Sequence, residues 1–255
     1  MSENRSQIDE ILNGLINGIG IYETVRLYNG KPFAIEEHYK RLLSSLSYVT
    51  DEKLSVEDFE RFVFSNDEGD VRVKIICVVS DRLRCFSKEE RIESDEEFFN
   101  KEIVIDISNI RHADPLSIPP NFKSLGRPDL YLARLNKGNF YDVILLGNKG
   151  QVCEGSFSNI FIIKNKKIIT PSLESGILNG ITRKHVLKML RESGYEVIEK
   201  YVELKEIIYA DEVFLTHTSR GIVPVNSLGN KVNFSVEMSK YLTKMFEEYV
   251  NAKIQ

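Results

Sequence analysis

The sequence predicts a mixed α/β fold in two domains, and three observations support that expectation. Stretches with apolar residues at every second position alternate with stretches at helical spacing along the whole chain. A non-periodic segment with Pro115, Pro119 and Pro120 interrupts the pattern near the middle. The length, 255 residues, allows one large domain or two of ordinary size. The expected division is a smaller N-terminal α/β domain over 1–112, a connection over 113–122 and a larger domain over 123–255.

A helix is expected around Ile8 to Ile16, followed by a period-2 strand from Ile19 to Tyr28 that turns at Asn29-Gly30, the strongest short hairpin signal. Tyr39, Leu42, Leu43 and Leu46 then recur at helical intervals, and Val56 to Phe64 repeats the pattern. Strands return at Val71 to Val79, Arg84 to Phe86 and Ile103 to Ile107, the first two separated by a Ser-Asp turn. Beyond the proline-rich connection come a short helix near Leu130 to Asn136 and strands at Asp142 to Leu146, Ser156 to Lys164 and Lys167 to Thr170. A helix from Thr182 to Ser193, a strand from Val213 to Thr218 and an amphipathic helix from Ser235 to Val250 complete the pattern. There is no internal repeat and no low-complexity segment.

Composition excludes several classes of function. Apolar runs such as Val71 to Val79 are much shorter than a bilayer span, and the polar start Met1-Ser-Glu-Asn-Arg5 does not read as a secretion signal. A cytoplasmic location without membrane contact is therefore expected. The net charge is −4, with acids and bases interspersed, so nucleic acid is not an expected partner. Cys77, Cys85 and Cys153 are odd in number and widely spaced; they read as small strand or core residues rather than as a disulfide framework or metal ligands. His38, His112, His185 and His217 are scattered, form no metal constellation, and read as structural or surface residues where they fall on helices.

Three local features carry chemistry. In Leu178-Asn-Gly-Ile-Thr-Arg183 a glycine precedes a helix whose first N–H groups and dipole suit an anion, although capping alone explains the same residues. Glu154 follows a strand-like Gln151-Val-Cys and precedes Gly155, where a solvated turn residue is the simpler local reading. Lys123 stands just after the proline-rich connection, at the junction of the halves. A lysine in a cleft can attack an aldehyde, whereas most lysines are solvated surface residues.

Together, in order and spacing, these features resemble the class IV aminotransferases of pyridoxal-phosphate fold type IV, a family that includes branched-chain aminotransferases, D-amino-acid aminotransferases and aminodeoxychorismate lyases. The resemblance runs through Gly20-Ile-Tyr-Glu-Thr-Val-Arg26, His38-Tyr-Lys-Arg41-Leu, Lys123, Gly150 to Phe161, Thr170-Pro171, Ile177 to Arg183 and Thr216 to Val225. It implies two α/β domains with pyridoxal 5'-phosphate between them, and a homodimer. Lys123 would carry the cofactor and move a proton, Glu154 would pair with the pyridine nitrogen, and Arg41, the N–H groups of Ile181 and Thr182, and Thr218 would hold the phosphate. Leu178 would pack on the ring. Tyr22, Arg72, Ser219 and Arg220 would line the substrate pocket, an arginine meeting the carboxylate. The implied reaction transfers an amino group between an amino acid, branched-chain by preference, and a 2-oxo acid. The alternative is a lyase forming 4-aminobenzoate and pyruvate, favoured by Lys123-Ser-Leu-Gly-Arg127 and by Arg220-Gly221. A more remote alternative is a cofactor-binding protein without catalysis. Where branched-chain members carry a tyrosine after the lysine, this chain has Gly126-Arg127-Pro128, leaving Arg127 or Tyr131 to replace that contact.

Overall fold

A computed structural model describes residues 12, 13, 16, 20–64, 69–93, 95–230 and 232–254. Of the helix expected over Ile8 to Ile16, only Leu12, Asn13 and Ile16 are described, and these are helical; the rest lies outside the described residues. The chain divides into two compact units. One runs to Ile92 and takes back Asn121–Arg127; the other comprises Glu93–Pro120 and Pro128–Lys253.

The first unit is built on an antiparallel sheet in the order β2-β1-β3-β4, from β1 (Gly20–Tyr28), β2 (Lys31–Pro32), β3 (Val71–Val79) and β4 (Leu83–Arg91). Asn29 and Gly30, both at positive φ (48° and 77°), close the β1–β2 hairpin in two residues, as the Asn-Gly pair predicts. Helix α1 (Ile35–Leu46) and helix α2 (Val56–Val63), the latter capped by the Ser55 hydroxyl accepting from Asp58 N, complete the unit. Ile21, Val25 and Leu27 of β1 and Val73 and Ile75 of β3 pack with Leu42, Leu46, Phe59 and Val63. Strand β4 extends five residues beyond the expected Phe86, because pairing with β3 holds Lys88-Glu-Glu-Arg91 extended on an exposed edge where charge conceals the strand pattern.

The cysteine expectation is corrected here. Cys77 and Cys85 are register partners on β3 and β4, with Cα atoms 4.1 Å apart, and are joined by a disulfide; Cys153 is free and buried. Strand pairing brings together residues that linear spacing does not relate.

The observed division also differs from the one expected at 113–122. Residues just past the prolines return to the first sheet: Tyr22 N donates to Lys123 O (3.1 Å), Leu125 N donates to Gly20 O (2.7 Å), and Ser124 bridges Ile21. Conversely, Ile103 and Ile105 belong to the second unit's core, since β5 (Val104–Ile107) pairs there.

The second unit holds two five-stranded sheets. One, in the order β14-β13-β5-β6-β7, contains β6 (Asp142–Leu146), β7 (Val152–Gly155), β13 (Ser227–Leu228) and β14 (Val232–Asn233). The other, in the order β10-β9-β8-β11-β12, contains β8 (Asn159–Lys164), β9 (Lys167–Pro171), β10 (Val197–Lys200), β11 (Glu212–His217) and β12 (Gly221–Val225). Residues of both sheets share one apolar cluster that includes Ile105, Ile144, Val152, Ile160, Ile162, Val213, Leu215 and Val223. The helices are α3 (Asp95–Phe99), α4 (Pro128–Leu135), α5 (Ile181–Glu192), α6 (Leu204–Ile208) and α7 (Glu237–Asn251). The elements absent from the sequence reading, α3, β10, α6, β12, β13 and β14, are two to five residues long, too short for a period to declare itself. Strand β12 tolerates Pro224 because it lies at the sheet edge. Among the described residues, no helix is long and apolar enough to cross a membrane.

Phe161 and Phe214 face each other across β8 and β11, fully buried and stacked with centroids 4.8 Å apart. Phe161→Ala is expected to destabilise the protein by about 3–5 kcal/mol, read as a lowered Tm in a thermal melt. A Tm within experimental error of the parent would contradict this packing.

Candidate active site

In the first unit, Lys123 is held at its main chain and its side chain alike. Its N–H donates to Ser45 Oγ (3.1 Å), its carbonyl accepts from Tyr22, and its Nζ lies 4.4 Å from the centroid of the Tyr22 ring. Lys74 Nζ lies 5.7 Å from the same ring. Strand periodicity explains the pairing: Tyr22 and Glu23 are adjacent on β1 and face opposite sides, so Tyr22 meets the lysines while Glu23 enters the core.

Glu23 is wholly buried and gathers donors from α1. Arg41 Nε reaches Oε1 at 2.6 Å and Arg41 Nη2 reaches Oε2 at 2.7 Å, while His38 Nδ1 lies 2.8 Å from Oε2. Residues 38 and 41 are one helical turn apart, so both meet the same carboxylate. Burial alone would raise the Glu23 carboxyl, but the Arg41 charge and the hydrogen bonds from Arg41 and His38 outweigh it and hold the group well below the usual carboxylate range. Burial pushes the His38 imidazole down; the hydrogen bond and charge of Glu23 oppose this, and the Arg41 and Lys123 charges add to it. His38 is therefore a neutral ring donating from Nδ1 rather than the charged half of an ion pair.

In the second unit, the candidate residues gather at one end of the β10-β9-β8-β11-β12 sheet. β8 begins there with Asn159, antiparallel β9 and β11 end there, and the Thr218–Arg220 turn leads into β12. Glu154, at the end of β7, is 5% exposed and accepts from three directions: His112 Nε2 at 3.0 Å, Asn159 Nδ2 at 3.2 Å and Leu178 N at 3.1 Å. Asn159 Nδ2 also reaches Leu178 O (3.0 Å), tying the loop before α5 to the carboxylate. Gly180 is the N-cap of α5 and supplies no side-chain cap, so the N–H groups of buried Ile181 and Thr182 stand in the unsatisfied first turn. An added Cβ on Gly180 would overlap Asn159 Oδ1, so this glycine also makes room for the residue that orients Glu154.

The loop that follows Glu154 and Gly155 is fixed by Asp142. Its carboxylate, fully buried, accepts from Ser156 N (2.9 Å), Ser156 Oγ (2.7 Å) and Ser158 Oγ (2.6 Å). Burial pushes this carboxyl up against those hydrogen bonds. The strand expected from Ser156 accordingly starts at Asn159, because Ser156-Phe-Ser158 turns to satisfy Asp142.

Other candidates are placed differently. Arg72 lies on the exposed face of β3 and pairs with Glu90 through both Nε (2.8 Å) and Nη2 (2.6 Å). Arg220, its side chain 8% exposed, donates to Glu93 O (2.7 Å) and covers the Phe98 ring at 4.2 Å. Of the two suggested substitutes for the family tyrosine, Arg127 is buried and Tyr131 is 61% exposed on α4. The remaining histidines bond tyrosines, His185 to Tyr249 and His217 to Tyr141. The sequence reading assigned no role to Glu23, His112, Asp142 or Asn159; Glu23, Asp142 and Asn159 stand out only as polar residues next to apolar ones, and His112 lies in a polar stretch.

Two outcomes are expected. Gly155→Ala places a Cβ against Asp142 Oδ2 and Ser158 Oγ; it should cost about 1–3 kcal/mol of stability and weaken cofactor binding, and unchanged binding would show that the loop does not position Glu154. His38 takes up a proton in the unfolded chain near the ordinary imidazole value of about 6.5 but resists it when folded, so stability falls as pH drops through that range. Glu23, held low, adds a further loss as pH falls below the ordinary carboxylate range. Thermal melts between pH 8 and 5 should show this decline, with a shallower slope in His38→Asn; parallel slopes would refute the assignment to His38.

The family model for amino-transferase class IV matches residues 20–228. A probable branched-chain-amino-acid aminotransferase of Thermotoga maritima is 40% identical over 241 residues, covering 90% of this chain and 84% of the relative. The aminodeoxychorismate lyase of Bacillus subtilis is 30% identical, covering 92% and 85%. The crystal structure of a putative branched-chain amino acid aminotransferase from Thermotoga maritima superposes with a TM-score of 0.88 at 38% identity, covering 94% of this chain and 89% of that one. The expected fold class is thus confirmed, and the chain belongs to the class IV aminotransferases, enzymes dependent on pyridoxal phosphate.

Proposed function

We propose that this enzyme transfers amino groups between branched-chain amino acids and 2-oxo acids, with Lys123 carrying pyridoxal 5'-phosphate. The observation that supports this reading most strongly is the buried Glu154 carboxylate, preset by three N–H donors at the same sheet end as the first turn of α5. Such a carboxylate suits a protonated ring nitrogen, and a helix N-terminus suits a phosphate, so this donor set fits the cofactor.

When bound, pyridoxal phosphate supplies an aldehyde for the amine and a ring that draws electron density from the substrate Cα. In this reading Lys123 holds that aldehyde between turnovers and, once displaced, moves the proton at Cα. Glu154 accepts the ring N–H and keeps the nitrogen protonated. Arg41, the N–H groups of Ile181 and Thr182, and the Thr218 hydroxyl bind the phosphate, while Leu178 packs on the ring. Tyr22 and Ser219 orient the substrate. Arg72 and Arg220 would take a substrate carboxylate only in exchange for Glu90 and Glu93. The enzyme works as a homodimer in this reading, and the exposed Tyr131, Leu132 and Leu135 of α4 offer apolar surface for association.

A second reading, elimination of pyruvate to give 4-aminobenzoate, is favoured by the likeness to the Bacillus subtilis lyase. The two are separated by assaying the wild type for 2-oxoglutarate-dependent transamination and for 4-aminobenzoate formation. With pyridoxal phosphate, the wild type should show a visible absorption band that leucine, isoleucine or valine bleaches. Lys123→Ala should lose the band and at least about 10³-fold in turnover. Full activity in that variant would sink the mechanism.

A further inference from the structure

We propose that Glu23 is a positioning residue that aims the Arg41 guanidinium at the cofactor phosphate; this rests on the phosphate-binding reading of Arg41 given above. Glu23 occupies a core position of β1, between Ile21 and Val25 on the buried face, where strand alternation calls for an apolar side chain. Stability does not account for it, because replacing a buried ion pair by apolar residues of similar size is often neutral or favourable. Geometry does. The carboxylate engages Arg41 through a two-point fork, Nε to Oε1 and Nη2 to Oε2, at 2.6 and 2.7 Å. Two parallel bonds define the guanidinium plane and its rotation within that plane, which a single contact cannot. Nη1 is thereby turned to the side opposite Glu23.

The carboxylate is itself held against rotation. His38 Nδ1 bonds Oε2 at 2.8 Å, and Thr24 N approaches the same oxygen at 3.2 Å. His38 and Glu23 are both essentially without solvent contact, so water cannot substitute for either partner. The Arg41 side chain, 8% exposed, would otherwise sample several rotamers and lose entropy on meeting a phosphate. Glu23 prepays that ordering when the protein folds.

The test separates phosphate recognition from folding by comparing pyridoxal phosphate with pyridoxal, which lacks the phosphate. Affinities of both are measured by fluorescence quenching for the full-length wild type, Glu23→Gln, Arg41→Gln and the double variant, each with a thermal melt. Glu23→Gln should lower the ratio of the two affinities at least 10-fold while pyridoxal binding stays within about twofold. In the Arg41→Gln background the same change should alter the ratio less than twofold, since Glu23 acts through Arg41. Equal loss of both affinities, or additive effects in the double variant, would overturn the proposal. If the ratio moves with Arg41→Gln but not with Glu23→Gln, the role of Glu23 alone fails. If Arg41→Gln leaves the ratio unmoved, the underlying reading of Arg41 fails with it.

A measurement on the unmutated protein covers the case in which Glu23→Gln does not fold. In ¹⁵N-arginine-labelled protein without cofactor, with signals assigned through Arg41→Lys, the Arg41 guanidinium should give resolved, slowly exchanging N–H resonances. Fast averaging of those resonances before cofactor is added would overturn the proposal.

Discussion

Taking a carboxylate out of water costs several kcal/mol unless donors replace its hydration. Among the described residues four carboxylates are buried, Glu23, Asp142, Glu154 and Glu212, and each has collected donors from a different part of the chain. Glu23 takes them from α1. Asp142 takes them from the loop after β7. Glu154 takes them from His112, Asn159 and the loop before α5. Glu212 takes them from Met238 N, Ser239 N and Ser239 Oγ at the start of α7. Each group obliges a loop or a helix end to settle where the charge is; Glu23 lies against Arg41, and Glu154 is itself assigned to the cofactor.

The same constraint links packing to chemistry. Asp142 and Glu154 are both on the β6–β7 hairpin, and Asn159, which completes the cage around Glu154, opens β8 directly after the loop that Asp142 anchors. Removing a donor would leave a charge without solvation, so the arrangement resists drift. A carboxylate held in this way is a preorganised acceptor, which under the proposed function needs no rearrangement to take up a cationic ring nitrogen. The glycines serve this close packing: Gly155 and Gly180 lie where any Cβ would meet Asp142, Ser158 or Asn159.

Most elements were legible because their periods are long and clean. Val71 to Ile75 alternates strictly and the run stays apolar to Val79, Asn29-Gly30 is a two-residue hairpin turn, and the helices place Leu42 and Leu46, and Val186, Leu187 and Leu190, at helical spacing. Lys123 and Glu154 were singled out through resemblance alone, since neither stands out locally. The partners His112, Asn159, Glu23 and Asp142 were not, because a polar residue in the sequence does not show which distant group it will meet. The disulfide between Cys77 and Cys85 was hidden for a related reason: their proximity arises from the register between β3 and β4.

By itself, then, the sequence determined the mixed α/β class and most element positions, because alternation, helical spacing and turn residues act over a few neighbouring positions, and the resemblance of its ordered motifs pointed to the family. Tertiary structure alone decided which unit receives Asn121–Arg127, which donors surround each buried carboxylate and which arginines are already paired. Those outcomes depend on contacts between residues as far apart as His112 and Glu154 or Glu93 and Arg220. Local periodicity cannot encode them, since a hydrogen bond or an ion pair is defined by distance in space and by the exclusion of water around it.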